Sequence, residues 1–467
     1  MKIMTIEEIA RVTGATILQG DPRLKIENVS IDTRHLKKES LFFALKGERY
    51  DAHDFLRQAV AAGAACVVVA RHPGFILPSG LACLKVPDPK EALQKLARYN
   101  RQNCPALIVG ITGSMGKTTT KDILATLLAE KLVTLKTNGN LNNEIGLPLT
   151  LLELNTSHQV GVVEMALRGP GEIDFLCRLA NPDGAIITNI GVAHLERLGS
   201  QDNLARAKGE ILNHIPQNGF AVLNGESPYI YREARRTQGR VLFFALRETL
   251  VGQSSRLTDI LAFNLKTVKK GTRFTVRIND HKITDTEIYL PLPGRHNVLN
   301  ALAAIGAAKI LGLSLAEIQA GLAKVTISKM RLEIYERNGL TIINDTYNAN
   351  PDSVLAALEV LNEVAGQNPK IAVLGDMLEL GSYTFEGHQK TGGAAAASNI
   401  QYLVTVGELA LQIAVGASAA GMPKKHIFTC RDNDEAVSCL RKILVPGSTV
   451  LIKGSRLLKM EEIANKI

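Results

Sequence analysis

The 467 residues are 46% hydrophobic and 21% charged, the balance of a soluble globular chain that is too long for one ordinary core and points to about three domains. The net charge of +9 is dispersed, aromatic residues make up only 4% and tryptophan is absent, which speaks against nucleic acid as a partner and leaves small anionic substrates to account for the excess. No apolar run approaches the roughly 20 residues that span a bilayer, the opening M-K-I-M-T-I-E-E-I-A has acids where a signal peptide is apolar, and six scattered cysteines without a C-x2-C pair read as buried free thiols, so a cytoplasmic protein with no membrane partner is expected.

Residues 1–86 carry no phosphate motif and end at a polar P-D-P-K segment, Pro87 to Lys90, before a helix with Ala92, Leu93, Leu96 and Ala97 on one face. They are read as a first, smaller α/β domain. From Pro105 onward strands and helices alternate. A-L-I-V-G runs into T-G-S-M-G-K-T, an apolar strand, a glycine-spaced turn and a helix start in the order that a nucleotide triphosphate site requires. Gly110, Gly113 and Gly116 let the backbone N–H groups approach phosphate oxygens, the helix adds its positive end, Lys117 reaches the β- and γ-phosphates and the Thr118 hydroxyl holds magnesium. The strict G-x4-G-K-[ST] spacing is missed, because Ile111 stands where its first glycine belongs. In the helix that follows, Ile123, Leu124, Leu127 and Leu128 form the core stripe, with Lys121, Asp122 and Glu130 expected on other faces.

Three more strands, at 160–164, 184–189 and 219–224, imply a largely parallel central sheet, and the alternating residues 261–290, with turns at K-K-G-T and N-D-H, suit an antiparallel annex. Glu164 closes its strand where α/β nucleotide enzymes place an acid beside magnesium. His194 and Lys208 lie in T-N-I-G-V-A-H-L-E and A-K-G-E-I; by themselves a satisfied structural histidine and a solvated lysine are the plainer readings. P-G-R-H-N-V-L-N, 293–300, sets His296, Asn297 and Asn300 at a helix start, where asparagine is a good cap. The central domain is placed at 87–326. Residues 327–467 repeat the α/β rhythm as a Rossmann-like third domain without a G-x-G-x-x-G, and N-D-T-Y-N-A-N-P, 344–351, combines a helix cap with the strand-end position where open sheets bind ligands.

Taken in order, G-I-T-G-S-M-G-K-T-T-T, E-M-A-L-R-G-P-G-E-I, T-N-I-G-V-A-H-L-E, A-K-G-E-I, P-G-R-H-N-V-L-N-A-L, N-D-T-Y-N-A-N-P, V-L-G-D-M-L-E-L-G and K-G-S-R resemble the motifs of the Mur ligase superfamily, whose phosphate loop has the G-x2-G-x2-G-K-T spacing seen here. N-L-N-N-E-I-G-L-P-L-T-L-L and Y-N-A-N-P are similar to the members that join D-alanyl-D-alanine to UDP-N-acetylmuramoyl-tripeptide. The resemblance implies ATP on Gly113, Ser114, Gly116, Lys117, Thr118 and Thr119, with magnesium on Thr118 and Glu164 and a second magnesium on His194 and Lys208, the latter carbamylated. It also implies Asn297 on adenine, Asp345 on ribose and Arg331 on the phosphates, with Lys117, His194, Lys208 and Arg331 as the catalytic group. Ser30, Asp32, Thr33, Arg34, Lys46 and Gly47 would hold the UDP-sugar end, and Asn140, Asn142, Asn143, Tyr347, Asn348 and Asn350 would line the two substrate sites of a monomeric enzyme. Two departures from the family pattern stand out: Ala166 after Glu164-Met165, and Lys329-Met330 where a glycine is usual beside Arg331. Folylpolyglutamate synthase is the rival within the family. A switch or motor NTPase is the rival outside it, although the chain lacks the N-K-x-D of a GTPase.

Overall fold

The computed structural model describes residues 1–191, 195–249, 258–268, 271–279, 284–326 and 328–467. Among the described residues, three larger sheets follow one another along the chain in a mixed α/β architecture, beside a two-stranded antiparallel pair of Met4–Thr5 with Lys25–Ile26. The first has five strands, ordered Thr16–Gln19, Ala82–Lys85, Cys66–Val69, Leu41–Phe43 and Val29–Ser30. Its central strands, C-V-V-V and L-F-F, are buried along their whole length, so they read as continuous apolar runs and pair in parallel. The helix Pro89–Gln102 then begins at the expected place, with Asp88 accepting from the Lys90 N–H and Pro89 in the first turn.

The second sheet has nine strands, ordered 284–290, 271–278, 260–268, 240–246, 220–224, 184–187, 107–112, 160–164 and 134–136. Strands 260–268, 271–278 and 284–290 pair antiparallel, as the alternating pattern predicts; the K-K and D-H turn residues lie outside the described residues. The helix Arg295–Ile310 is buried on nearly every side from Asn297 to Ala308, which its small alanines permit: Gly306 lies so close to Val222 and Ile260 that a Cβ there would sit 2.7 Å from the Ile260 side chain.

The third sheet has six strands, ordered Glu333–Arg337, Leu340–Asn344, Thr449–Lys453, Lys370–Gly375, Tyr402–Val406 and Ile427–Cys430, parallel except for its first hairpin. The helix Pro351–Ala365 starts on a capping box, Asn350 with Ser353, and has Pro351 at its first position. All six cysteines are free thiols; five are buried and Cys439 is half-buried. By compactness the chain divides into two units, residues 1–110 with 132–167 and 171–184, and residues 111–131 with 168–170 and 185–467.

Candidate active site

In the first unit, Ser30, Asp32, Thr33 and Arg34 form a compact turn. The Ser30 hydroxyl donates to the Asp32 carbonyl at 3.0 Å, and Asp32 accepts from the Arg34 guanidinium at 2.7 and 2.9 Å. The guanidinium holds the Asp32 carboxyl well below the usual carboxylate range. Asp32, Thr33 and Arg34 line a cavity of about 540 Å³ together with the apolar side chains of Ile31, Phe42 and Phe55, whereas Lys46 and Gly47 are exposed in the neighbouring turn, where the Gly47 N–H donates to the Tyr50 carbonyl. The arrangement offers a wall for a flat ring and polar groups at its mouth.

The asparagine loop of the same unit is used mainly on itself. Asn143 accepts from the Ile145 and Gly146 N–H groups at the start of helix Gly146–Leu152, and Asn142 donates to Glu164 at 2.9 Å. Glu164 is 2% exposed, ends its strand and donates its own N–H to Thr137. Asn142 therefore orients a carboxylate, a role its sequence context did not indicate. Asn140 is exposed, and Ala166 donates its N–H to the Asn142 carbonyl.

The phosphate loop belongs to the second unit, together with a partner segment, residues 188–191, whose contacts with the loop no local pattern in the sequence reveals. Thr188 donates to the Met115 carbonyl, the Asn189 side chain accepts from the Met115 N–H, the Asn189 carbonyl accepts from the Ser114 N–H, and the Gly191 N–H donates to the Ser114 hydroxyl. Gly113 has φ +149° and Gly116 φ +78°; a Cβ on either would collide with Thr188 or with Asn300. The loop is thus clamped between a strand end and the helix Arg295–Ile310. Lys117 donates to the Gly113 carbonyl at 2.8 Å, which bends its ammonium back over the loop, and Thr118 and Thr119 open the helix Lys117–Leu128 with their side chains buried. The backbone shape and the lysine fit a polyphosphate.

Lys208 is 2% exposed rather than solvated. Burial, reinforced by the charge of Lys117, pushes its ammonium well below the ordinary lysine value. His194 lies outside the described residues. Asn297 is turned inward, donating to the Pro293 carbonyl at 2.7 Å and accepting from Asn300. Next to it, His296 has a buried Nδ1 without a hydrogen-bond partner among the described residues, and burial lowers its pKa to about 4.

Lys121 and Asp122 overturn an expectation. Both are buried, at 1% and 2% exposure, and pair at 3.5 Å, because the phosphate-loop helix is enclosed by the helix Arg295–Ile310 and by the segment that leads into the third domain.

The third-domain residues converge on Arg331, whose guanidinium stacks on the Tyr347 ring at 3.9 Å and whose Nε is buried without a hydrogen-bond partner among the described residues. Asp345 accepts from the Leu332 N–H at 3.1 Å and from Lys453 at 2.6 Å, and Lys453 also donates to the Asn348 carbonyl. Lys453 is 2% exposed and comes from the K-G-S-R segment; its pairing with Asp345 is invisible to spacing because 107 residues intervene. Met330 and Leu332, on either side of Arg331, have φ of +61° and +51°, so Met330 supplies the left-handed geometry that a glycine would provide. Asn350 spends its side chain on the helix cap, and Asn348 is exposed. The helix start reaches the phosphate-loop partner: a Cβ on Gly191 would lie 2.5 Å from Asp352. Among the described residues no three His, Cys, Asp or Glu side chains gather as a cation site.

Comparison with known proteins gives the family. Residues 25–101 match the Mur ligase family catalytic domain, 111–308 the Mur ligase middle domain and 330–456 the Mur ligase glutamate ligase domain. The UDP-N-acetylmuramoyl-tripeptide--D-alanyl-D-alanine ligase of Bacillus subtilis is 36% identical over 99% of this chain and 98% of its own length. A crystal structure of MurF from Acinetobacter baumannii superposes with a TM-score of 0.87 at 32% identity, covering 100% of this chain and 99% of that one. MurF ligase from Thermotoga maritima, solved in complex with ADP, gives 0.80 at 29% identity over 94% of this chain and 96% of that one. The chain belongs to the Mur ligase family.

Proposed function

We propose that this protein uses ATP to join D-alanyl-D-alanine to UDP-N-acetylmuramoyl-tripeptide, giving the UDP-muramoyl-pentapeptide of peptidoglycan precursor synthesis. The observation that carries the reading is the clamped loop Gly113–Lys117 beside the buried Lys208, in a chain whose full-length relatives bear that activity in their names. The terminal carboxylate oxygen of the tripeptide attacks the γ-phosphorus and ADP leaves. The D-alanyl-D-alanine amine then attacks the acyl carbon, loses a proton and expels phosphate. The obstacle in the first step is the approach of two anions, which Lys117 and the loop N–H groups offset. Magnesium, when bound to Thr118 and Glu164, supplies further charge compensation, and a second ion would use His194 and Lys208.

Lys208 as a carbamate fits its surroundings: burial lowers the cost of deprotonating the ammonium, the amine nitrogen bonds to the carbon of carbon dioxide with release of one proton to solvent, and the product is an anion beside Lys117. Arg331 and Asp345 act on the nucleotide from the third domain, and residues Ser30–Arg34 take the UDP end. We place the domain boundaries after residues 86 and 326. Water must be kept from an acyl phosphate, which gives a chemical reason for closing a third domain over the loop.

The test is ATP turnover with each UDP-muramoyl-tripeptide, with and without D-alanyl-D-alanine. One ADP and one phosphate per amide, formed only with both substrates, is the expected outcome. AMP and pyrophosphate would exclude the acyl phosphate, stimulation by a folate and glutamate would move the chain to the folylpolyglutamate branch, and stimulation by a polynucleotide would indicate a motor.

A further inference from the structure

The buried pair Lys121-Asp122 raises a question that the active-site reading leaves open: why the helix of the phosphate loop carries a carboxylate in its core-facing surface. Asp122 has one oxygen on Lys121, at 3.5 Å, and the other on Ser328, accepting from the hydroxyl at 2.8 Å and from the backbone N–H at 3.2 Å. Ser328 stands at the entrance to the third domain. Two residues on, Met330 adopts a left-handed backbone, then comes Arg331, then Leu332, left-handed again and fixed through its N–H to Asp345. The segment is therefore anchored at both ends, on the phosphate-loop helix by Ser328 and on the third domain by Leu332, with one costly backbone conformation at Met330 between the anchors and the other at Leu332 itself. A carboxylate that accepts both hydrogen bonds of one serine defines a position more tightly than a single contact, and its burial strengthens both bonds.

We propose that Asp122 is a positioning residue. Through Ser328 it ties the helix that begins at Lys117 to the turn that carries Arg331, so that nucleotide seated on the phosphate loop sets where Arg331 stands. The inference rests on the reading that Lys117 and Arg331 both meet the nucleotide phosphates.

The experiment uses the full chain and three variants, Ser328→Ala, Ser328→Thr and Lys117→Ala. Lys329 is exposed beside Ser328, so tryptic cleavage after it reports on the turn directly. In the unaltered protein, magnesium and a non-hydrolysable ATP analogue slow that cleavage. Ser328→Ala loses the protection, lowers kcat about tenfold or more and raises the KM for ATP by a smaller factor, as expected for losing a hydrogen bond to a charged group that couples the nucleotide to the turn. Ser328→Thr keeps the hydroxyl and restores both readouts. Nucleotide that gives no protection in the unaltered protein overturns the proposal, as does a Ser328→Ala protein that keeps both its turnover and its protection. A Ser328→Ala protein that loses turnover but keeps protection has a merely structural serine, which overturns it too. Lys117→Ala separates the two levels: turnover surviving that change removes the phosphate-site reading itself, whereas a dead Lys117→Ala beside an unaffected Ser328→Ala removes only the coupling.

Discussion

At the scale of single residues, two side chains carry chemistry that their sequence neighbourhood conceals. Lys208 sits in a helix of ordinary composition, yet it is fully enclosed and its ammonium is disfavoured by burial and by Lys117. Lys208→Ala is expected to lose most turnover and to recover part of it when acetate fills the vacancy, whereas Lys208→Arg, whose charge is fixed, gains nothing from acetate. Near-normal turnover of Lys208→Ala at limiting magnesium would return Lys208 to a packing role. Met330 is the second case. A non-glycine residue in the left-handed region costs about 1–2 kcal/mol, part of which Met330→Gly recovers against the extra freedom of the unfolded chain. Denaturant unfolding should place Met330→Gly level with the parent or up to about 1 kcal/mol above it, and Met330→Val, branched at Cβ, below it by more than about 1 kcal/mol. Destabilisation by the glycine would show that the methionine side chain, including its contact with Arg456 at 3.5 Å, outweighs the backbone strain.

At the scale of elements, the helix Arg295–Ile310 closes the phosphate loop from one side with Asn300, while its first turn bears His296 next to the Asp345–Lys453 pair. Burial lowers the His296 pKa to about 4, with Asp345 opposing that shift and Lys453 adding to it. A folded-state pKa below the unfolded value near 6.5 means that the unfolded chain takes up the proton first. The contribution to stability is therefore fully present above about pH 6.5 and is lost as pH falls towards 4, the loss amounting to about 2 kcal/mol at pH 5. Urea unfolding of the parent and of His296→Gln between pH 4.5 and 7.5 checks this. The parent should lose stability more steeply than the variant in that window, and parallel curves would mean that the imidazole titrates as it does in water.

At the scale of the molecule, binding and chemistry are assigned to different parts of the chain. Lys117→Ala is expected to abolish turnover and leave the affinity for the UDP-sugar substrate unchanged by calorimetry, while Arg34→Ala weakens that substrate by about tenfold, the value of one charge-assisted hydrogen bond, and leaves kcat in place. A folded Lys117→Ala protein that has lost both functions would undo this division. Much of the arrangement was legible in the residues themselves: the glycine spacing before Lys117, the apolar strands on either side, the capping box at Asn350 and the alternating strands of residues 260–290 are local patterns, each set by backbone geometry or by the period of burial over a few residues. Tertiary structure decided the rest. Asn142 holds Glu164 across 22 residues, Lys453 holds Asp345 across 108, and Asp122 holds Ser328 across 206. A charged residue shows its spacing in the sequence but not its solvent: Lys208 reads as a solvated lysine and Lys121 and Asp122 as residues off the core stripe, yet all three, with Lys453, are buried, because desolvation and pairing are properties of the folded neighbourhood and not of the sequence on either side.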